Sequence, residues 1–208
     1  MPKLQELVKL NLLRNDEIND FESRFSKYLL KRYEKFLIID TLVFPNKQTL
    51  FKSLYEPLTL LVEPIFDEDG EGILIDGYPM DLLPNYGRVI IEDTAGMGKS
   101  TIMRKLFLSI VEDKVGIPIL IELRQLKNNN DIINEIKKQV SPIGLIFDDS
   151  LIYSLINEGG FIFLFDGFDE IPLANKEFVI SELHSFIEKA NYNNFLISSR
   201  PEDSLYSF

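Results

Sequence analysis

The chain has 208 residues, 45% hydrophobic and 26% charged, with 22 Lys and Arg against 33 Asp and Glu for a net charge of −11. That is enough apolar sequence for one substantial core, while the acidic balance argues against binding a nucleic-acid backbone or an anionic membrane surface. Cysteine is absent and His184 is the single histidine, which excludes disulfides, thiolate zinc sites, thiol catalysis and multi-histidine metal centres. No apolar run approaches the ~20 residues of a membrane span, and Met1 to Lys3 lead into polar, amphipathic sequence without a signal-peptide core. The sequence reads as a cytoplasmic protein without a membrane.

Residues 1–45 read as an N-terminal helical segment. Leu4, Leu7 and Val8 suggest a short first helix. Ile18, Phe21, Phe25, Tyr28, Leu29, Tyr33, Phe36 and Leu37 recur at spacings of three and four and predict one longer amphipathic helix. Asn15 is its candidate cap, with Asp16 and Glu17 in the first turn. The apolar face of that helix must be buried, against the main domain or a second copy; a partner-docking or effector role is the alternative. Residues 46–87 form an irregular segment in which Pro57, Pro64, Pro79 and Pro84 interrupt any long element, with short strands expected at 58–62 and 72–76. Its acidic run, Asp67 to Glu71, lacks the full spacing of a calcium loop and reads as a solvated hairpin tip.

From residue 88 onward strands and helices alternate. Strands are expected at 88–92, 117–123, 161–165 and 195–199, and helices at 100–111, 131–140, 150–156 and 175–190. The strands are nearly continuous apolar runs, as in parallel strands buried on both faces. The alternation implies right-handed crossovers and an α/β fold: a three-layer sandwich around a mostly parallel sheet, with the core at 88–208. His184 falls among apolar helix positions and reads as a packing or helix-surface residue.

Three stretches carry chemistry. The first is Asp93-Thr94-Ala95-Gly96-Met97-Gly98-Lys99-Ser100-Thr101, placed between an expected strand and an expected helix, as a phosphate-binding loop requires. Gly96 and Gly98 let main-chain amides turn toward a phosphate, and the helix that follows presents its positive end to the same anion. Lys99 is suited to the β- and γ-phosphates, and the Ser100 hydroxyl to Mg2+, with Thr101 adding a hydroxyl near the α-phosphate. Asp93 stands where the first glycine of such a loop is expected, and its carboxylate must point away from the phosphates. The second stretch is Phe161-Ile162-Phe163-Leu164-Phe165-Asp166-Gly167-Phe168-Asp169-Glu170, a buried strand ending in acids. Asp166 is placed to hold Mg2+, and Asp169 or Glu170 to orient or deprotonate a water. The third is Phe195-Leu196-Ile197-Ser198-Ser199-Arg200-Pro201, whose Arg200 is a candidate γ-phosphate contact at the carboxyl end of a strand. Arg124 either approaches the same region or forms a surface salt bridge.

In this order and spacing the three stretches resemble the NACHT subgroup of STAND signalling NTPases. The small Gly167 directly after Asp166, with acids only at Asp169 and Glu170, distinguishes them from common AAA+ proteins. Ile117 to Arg124 resembles the second strand of that family, and Leu54 to Leu60 the stretch ahead of its nucleotide loop; the resemblance covers about residues 50–208 and is closest to bacterial members. It implies a P-loop NTPase core that binds ATP or ADP with Mg2+, hydrolyses ATP slowly and self-associates when ATP-bound. It also implies a trigger ligand the sequence does not identify, and a role in antiphage defence. Further helical, winged-helix and sensor lobes would follow Arg200, so the chain reads as part of a longer protein, with nucleotide affinity and turnover weakened without the closing lobe. The nucleotide-binding residues are then Thr94, Ala95, Gly96, Met97, Gly98, Lys99, Ser100 and Thr101. The metal ligands are Ser100 and Asp166, and the catalytic set is Lys99, Asp169, Glu170 and Arg200. A nucleotide-binding interaction module without catalysis and a small-molecule phosphotransferase are the alternatives.

Overall fold

The computed structural model describes residues 15–39, 48–61, 72–80, 87–140 and 149–208. The short helix expected around Leu4 to Val8 and the acidic run at 67–71 lie outside the described residues. Four strands, β5 (Arg88–Glu92), β6 (Ile117–Glu122), β7 (Phe161–Asp166) and β8 (Asn194–Ser199), form one sheet in the order β5-β8-β7-β6. Every pair in it is parallel, with Glu92 beside Ser199 and Glu122 beside Asp166. All four carboxyl ends therefore lie along one rim.

The apolar runs form strands because both faces are covered. Phe161, Phe163 and Phe165 stack in a row along β7, and Phe195 of β8 stacks on Phe163 at 5.5 Å. Helix α5 (Lys176–Lys189) closes that face, its Phe186 standing edge-on to Phe163 at 4.9 Å. Helix α2 (Lys99–Asp113) packs on β6, β7 and β8. The crossover from β5 to β6 runs across the sheet in the opposite sense to those from β6 to β7 and β7 to β8. Right-handed crossovers therefore place α2 on one face and α3 (Ile132–Val140), α4 (Asp149–Asn157) and α5 on the other. This is the three-layer α/β arrangement expected from the alternating pattern.

Strand and helix bounds agree with the expected ones to within one or two residues. Helix α2 overruns its expected end and stops through Lys114, the one non-glycine residue with positive φ among the described residues (56°); its amide caps the Ile110 carbonyl. His184 stacks on Phe208 at 4.1 Å and meets the Ser207 hydroxyl, a packing role.

The long N-terminal helix, α1 (Asn15–Leu37), lies against the core. Phe25 and Tyr28 are buried, with Phe25 edge-on to Phe161 and Tyr28 edge-on to Phe107 of α2. Tyr28 donates its hydroxyl proton to the Pro118 carbonyl at 3.3 Å, and Gln139 of α3 donates to the Leu120 carbonyl at 3.0 Å. These carbonyls belong to β6, the edge strand, so α1 and α3 cover an edge that would otherwise offer itself for pairing. At the other end of α1, Arg104 of α2 donates to the carbonyls of Phe36 (2.9 Å) and Ile38 (2.5 Å), satisfying main-chain groups that the helix terminus leaves open. Asn15 is the first described residue of the helix, so its capping lies outside the described residues, as do the side-chain surroundings of Ile18 and Phe21.

The segment before the core contributes two small antiparallel pairs. Strands β1 (Ile38–Ile39) and β2 (Thr49–Leu50) form one, and β3 (Leu58–Leu61) and β4 (Gly72–Ile75) the other, with Leu58 opposite Ile75.

Candidate functional site

In an open parallel sheet, ligands gather at the carboxyl rim of the strands. The chain leaves β5 at that rim through Asp93 and Thr94 and enters α2 at Lys99. Gly96 and Gly98 both adopt left-handed backbone, with φ of 82° and 88°, the turns a concave nest of amides requires. Gly98 is constrained twice over. A Cβ there would stand 2.7 Å from Leu58 Cδ1, because β3 packs onto the loop. The Gly98 carbonyl accepts the Ile102 amide at 2.9 Å and starts the helix. Lys99 Nζ donates to the carbonyls of Asp93 and Thr94 at 2.5 and 2.7 Å, which draws its ammonium across the mouth of the loop.

Asp93 resolves the one departure from the glycine pattern. Its backbone φ is not positive, so no glycine is required at this position. Its carboxylate accepts the Thr94 amide at 2.6 Å and does not line the cleft. The charge is turned back onto the loop.

β7 delivers the acids. Gly167 takes φ of 77° directly after Asp166, and the chain turns through Phe168–Glu170. A Cβ at Gly167 would meet the Glu170 side chain at 3.2 Å, so the small residue lets Glu170 fold back beside the strand exit. Asp169 is 16% exposed and takes both the amide and the guanidinium of Arg200, at 3.1 and 2.9 Å. Glu170 is 48% exposed and pairs with Arg124 at 2.9 Å; Arg124 also binds Glu122 at 2.8 Å. These two carboxylates, Glu122 before Glu170, raise the Arg124 pKa above its ordinary value.

One cleft of about 290 Å3 joins these groups. It is lined by Ala95, Gly96, Met97, Gly98, Lys99, Ser100 and Thr101 from the loop, by Asp166, Gly167, Asp169 and Glu170 from β7, and by Ser198 and Arg200 from β8. Of the residues expected from sequence, all but Thr94 line it; Thr94 reaches it only through the carbonyl that holds Lys99. Ser198 was not legible as a site residue, since a serine near a strand end has many uses. Arg124 lies behind Glu170.

The donor set fits Mg2+: the Ser100 hydroxyl and the Asp166 carboxylate are hard oxygens in one cleft, and this ion is commonly held by one or two protein oxygens with phosphate and water completing the shell. No cluster of three His, Cys, Asp or Glu that would hold a metal by itself occurs among the described residues. No helix among them is long and apolar enough to cross a membrane.

A glycine loop with its lysine and serine at a helix start, a strand-end aspartate beside it and a parallel sheet behind both define a P-loop NTPase core. Comparison with family models makes the assignment specific: the NACHT domain matches residues 87–206, more than half of the chain. The chain belongs to the NACHT family, and its core is a nucleotide-binding NTPase. A search of curated proteins gave no match.

Proposed function

We propose that this chain is the switch core of a STAND-type signalling ATPase, binding Mg-ATP and ADP, hydrolysing ATP slowly and coupling nucleotide state to conformation and self-association. The observation that carries the reading is the single cleft in which Lys99 and Ser100 face Asp166, Asp169, Glu170 and Arg200. ATP as the nucleotide, antiphage defence in a bacterium as the setting and the cytoplasm as the location rest on the motif resemblance.

The amides of Gly96 to Ser100 and the start of α2 would hold the β-phosphate. Lys99 would exchange its two carbonyl contacts for phosphate oxygens. Ser100 and Asp166 would hold Mg2+, which would supply charge neutralisation for the phosphates. Glu170 is the better placed of the two acids to accept a proton from the attacking water. That water's oxygen bonds to the γ-phosphorus as the bond to the β–γ bridging oxygen breaks, leaving ADP and phosphate. Asp169 serves Arg200 instead, holding the guanidinium at the cleft where a γ-phosphate would compete for it. Contacts made only when that phosphate is present bias two arrangements of the chain, which is how nucleotide state becomes a signal.

A second reading has its own observation. Both candidate acids are engaged by arginines, Asp169 by Arg200 and Glu170 by Arg124, which suits a module that binds nucleotide without turning it over.

Capture of radiolabelled ATP by the complete chain tests the proposal. Lys99→Ala, which removes a charge-assisted contact, is expected to weaken capture by about 10–100-fold. Unchanged capture sinks the reading, as does GDP in place of ATP or ADP when nucleotide is extracted from the purified protein. Phosphate release over many turnovers separates the ATPase from the silent module.

A further inference from the structure

β8 is apolar through Phe195, Leu196 and Ile197 and then ends in two serines. A hydroxyl buried at the end of such a strand needs partners. Ser198 is 1% exposed and has two, both at the exit of the neighbouring strand. It accepts the Gly167 amide at 2.9 Å and donates its proton to Asp166 Oδ1 at 2.5 Å. One hydroxyl thus grips both the carboxylate of Asp166 and the first amide of the turn that follows it, across 32 residues of sequence. Ser198 also lines the cleft beside Asp166 and Ser100.

A strand-end carboxylate can rotate about its side-chain bonds, and every rotamer that faces away is lost to a metal. Fixing one oxygen in a part-buried hydrogen bond removes much of that freedom and leaves the other oxygen, Oδ2, for a cation. We propose that Ser198 is a positioning residue for the metal site, holding Asp166 in the orientation that binds Mg2+ together with Ser100. This rests on the Mg-nucleotide reading above. Partners behind a metal ligand typically change metal affinity by about 10–100-fold when removed.

The test measures binding of a fluorescent ATP analogue to the complete chain as MgCl2 is titrated, with a parallel measurement in EDTA. Ser198→Val and Ser198→Thr have nearly the same shape and differ in the hydroxyl. The threonine variant is expected to match the wild type within about threefold. The valine variant is expected to need at least about tenfold more Mg2+ for half-maximal enhancement of binding, with affinity in EDTA unchanged. Ser198→Ala adds no bulk and should behave as the valine variant. Equal Mg2+ requirements in the threonine and valine variants overturn the assignment, as does a loss of affinity in EDTA equal to that in Mg2+, which marks a merely structural serine. A wild type whose affinity ignores Mg2+ overturns the metal reading of Asp166 itself, and this inference with it.

Discussion

Glu170 and Asp169 stand side by side after β7, yet their surroundings differ. Asp169 is mostly buried and both its carboxylate oxygens are engaged by Arg200, which leaves it less basic and less free to turn toward a water. Glu170 is half exposed and held by a single ion pair, of a kind worth about 0.2–1 kcal/mol in exposed positions. Exchanging that pair for a water is therefore cheap. Glu170→Gln is expected to lower steady-state phosphate release by at least about 100-fold while nucleotide binding stays within about threefold. Arg124→Ala is expected to change turnover by no more than about fivefold, the factor that 1 kcal/mol commands. A turnover assay on the complete chain checks both, and equal effects of the two substitutions would remove Glu170 from its role. At this scale the loop, Asp166 and Arg200 were legible because their spacing is set by local chain geometry. Ser198 was not, because its importance comes from a partner on another strand.

α1 shows how periodicity tells that an element buries a face but not against what. The spacing of Phe25, Tyr28, Leu29 and Phe36 predicts the helix, and its composition suggests a segment apart from the acidic core. In the structure Phe25 meets Phe161, Phe36 meets Phe107 at 5.0 Å, and Tyr28 reaches the edge strand. Of the two possible burial sites, the main domain is the one observed. Phe25 is 3% exposed, so Phe25→Ala is expected to cost about 3–5 kcal/mol of unfolding free energy, the range for truncating a buried phenylalanine. Urea denaturation of the complete chain followed by circular dichroism measures it. A cost below about 1 kcal/mol would mean that α1 is only loosely held on the core.

Long-range polar contacts bind these parts into one structure, and one of them gives a pH signature. Glu112 of α2 receives the Tyr33 hydroxyl of α1 at 2.7 Å and Lys52 at 3.1 Å. Partial burial pushes the Glu112 carboxyl up, but the Tyr33 hydroxyl and Lys52 outweigh it and hold the group below its ordinary value. Tyr33 is correspondingly pushed up to about 12, chiefly by its hydrogen bond to Glu112. A depressed carboxyl contributes stability that is present above the unfolded range near pH 4.5 and is lost as pH falls through the folded value. The raised tyrosine contributes below about pH 10 and loses its share as pH climbs toward 12. Tyr33→Phe is therefore expected to cost about 0.5–1 kcal/mol at pH 7, or about 2 °C in melting temperature. The gap from wild type should begin to narrow below about pH 4.5 and close as the pH falls through the folded Glu112 value. Melting curves across the acid range check it, and a gap that does not narrow as the pH falls would place the effect outside the Glu112 charge.

By itself the sequence determined the α/β alternation, the strand and helix positions from residue 88 onward to within a residue or two, and nearly all the cleft residues from the nucleotide loop to Arg200. These follow from contacts between near neighbours: side-chain periodicity, glycines that permit left-handed backbone, and acids at strand ends. The tertiary structure alone decided the strand order β5-β8-β7-β6, which puts Asp166 next to Ser198. It also decided the separation of Asp169 from Glu170 by their arginine partners, and the docking of α1 on the edge strand. Each of these depends on groups brought together from distant parts of the chain, whose pairing energies are set by burial and direction that no local spacing encodes.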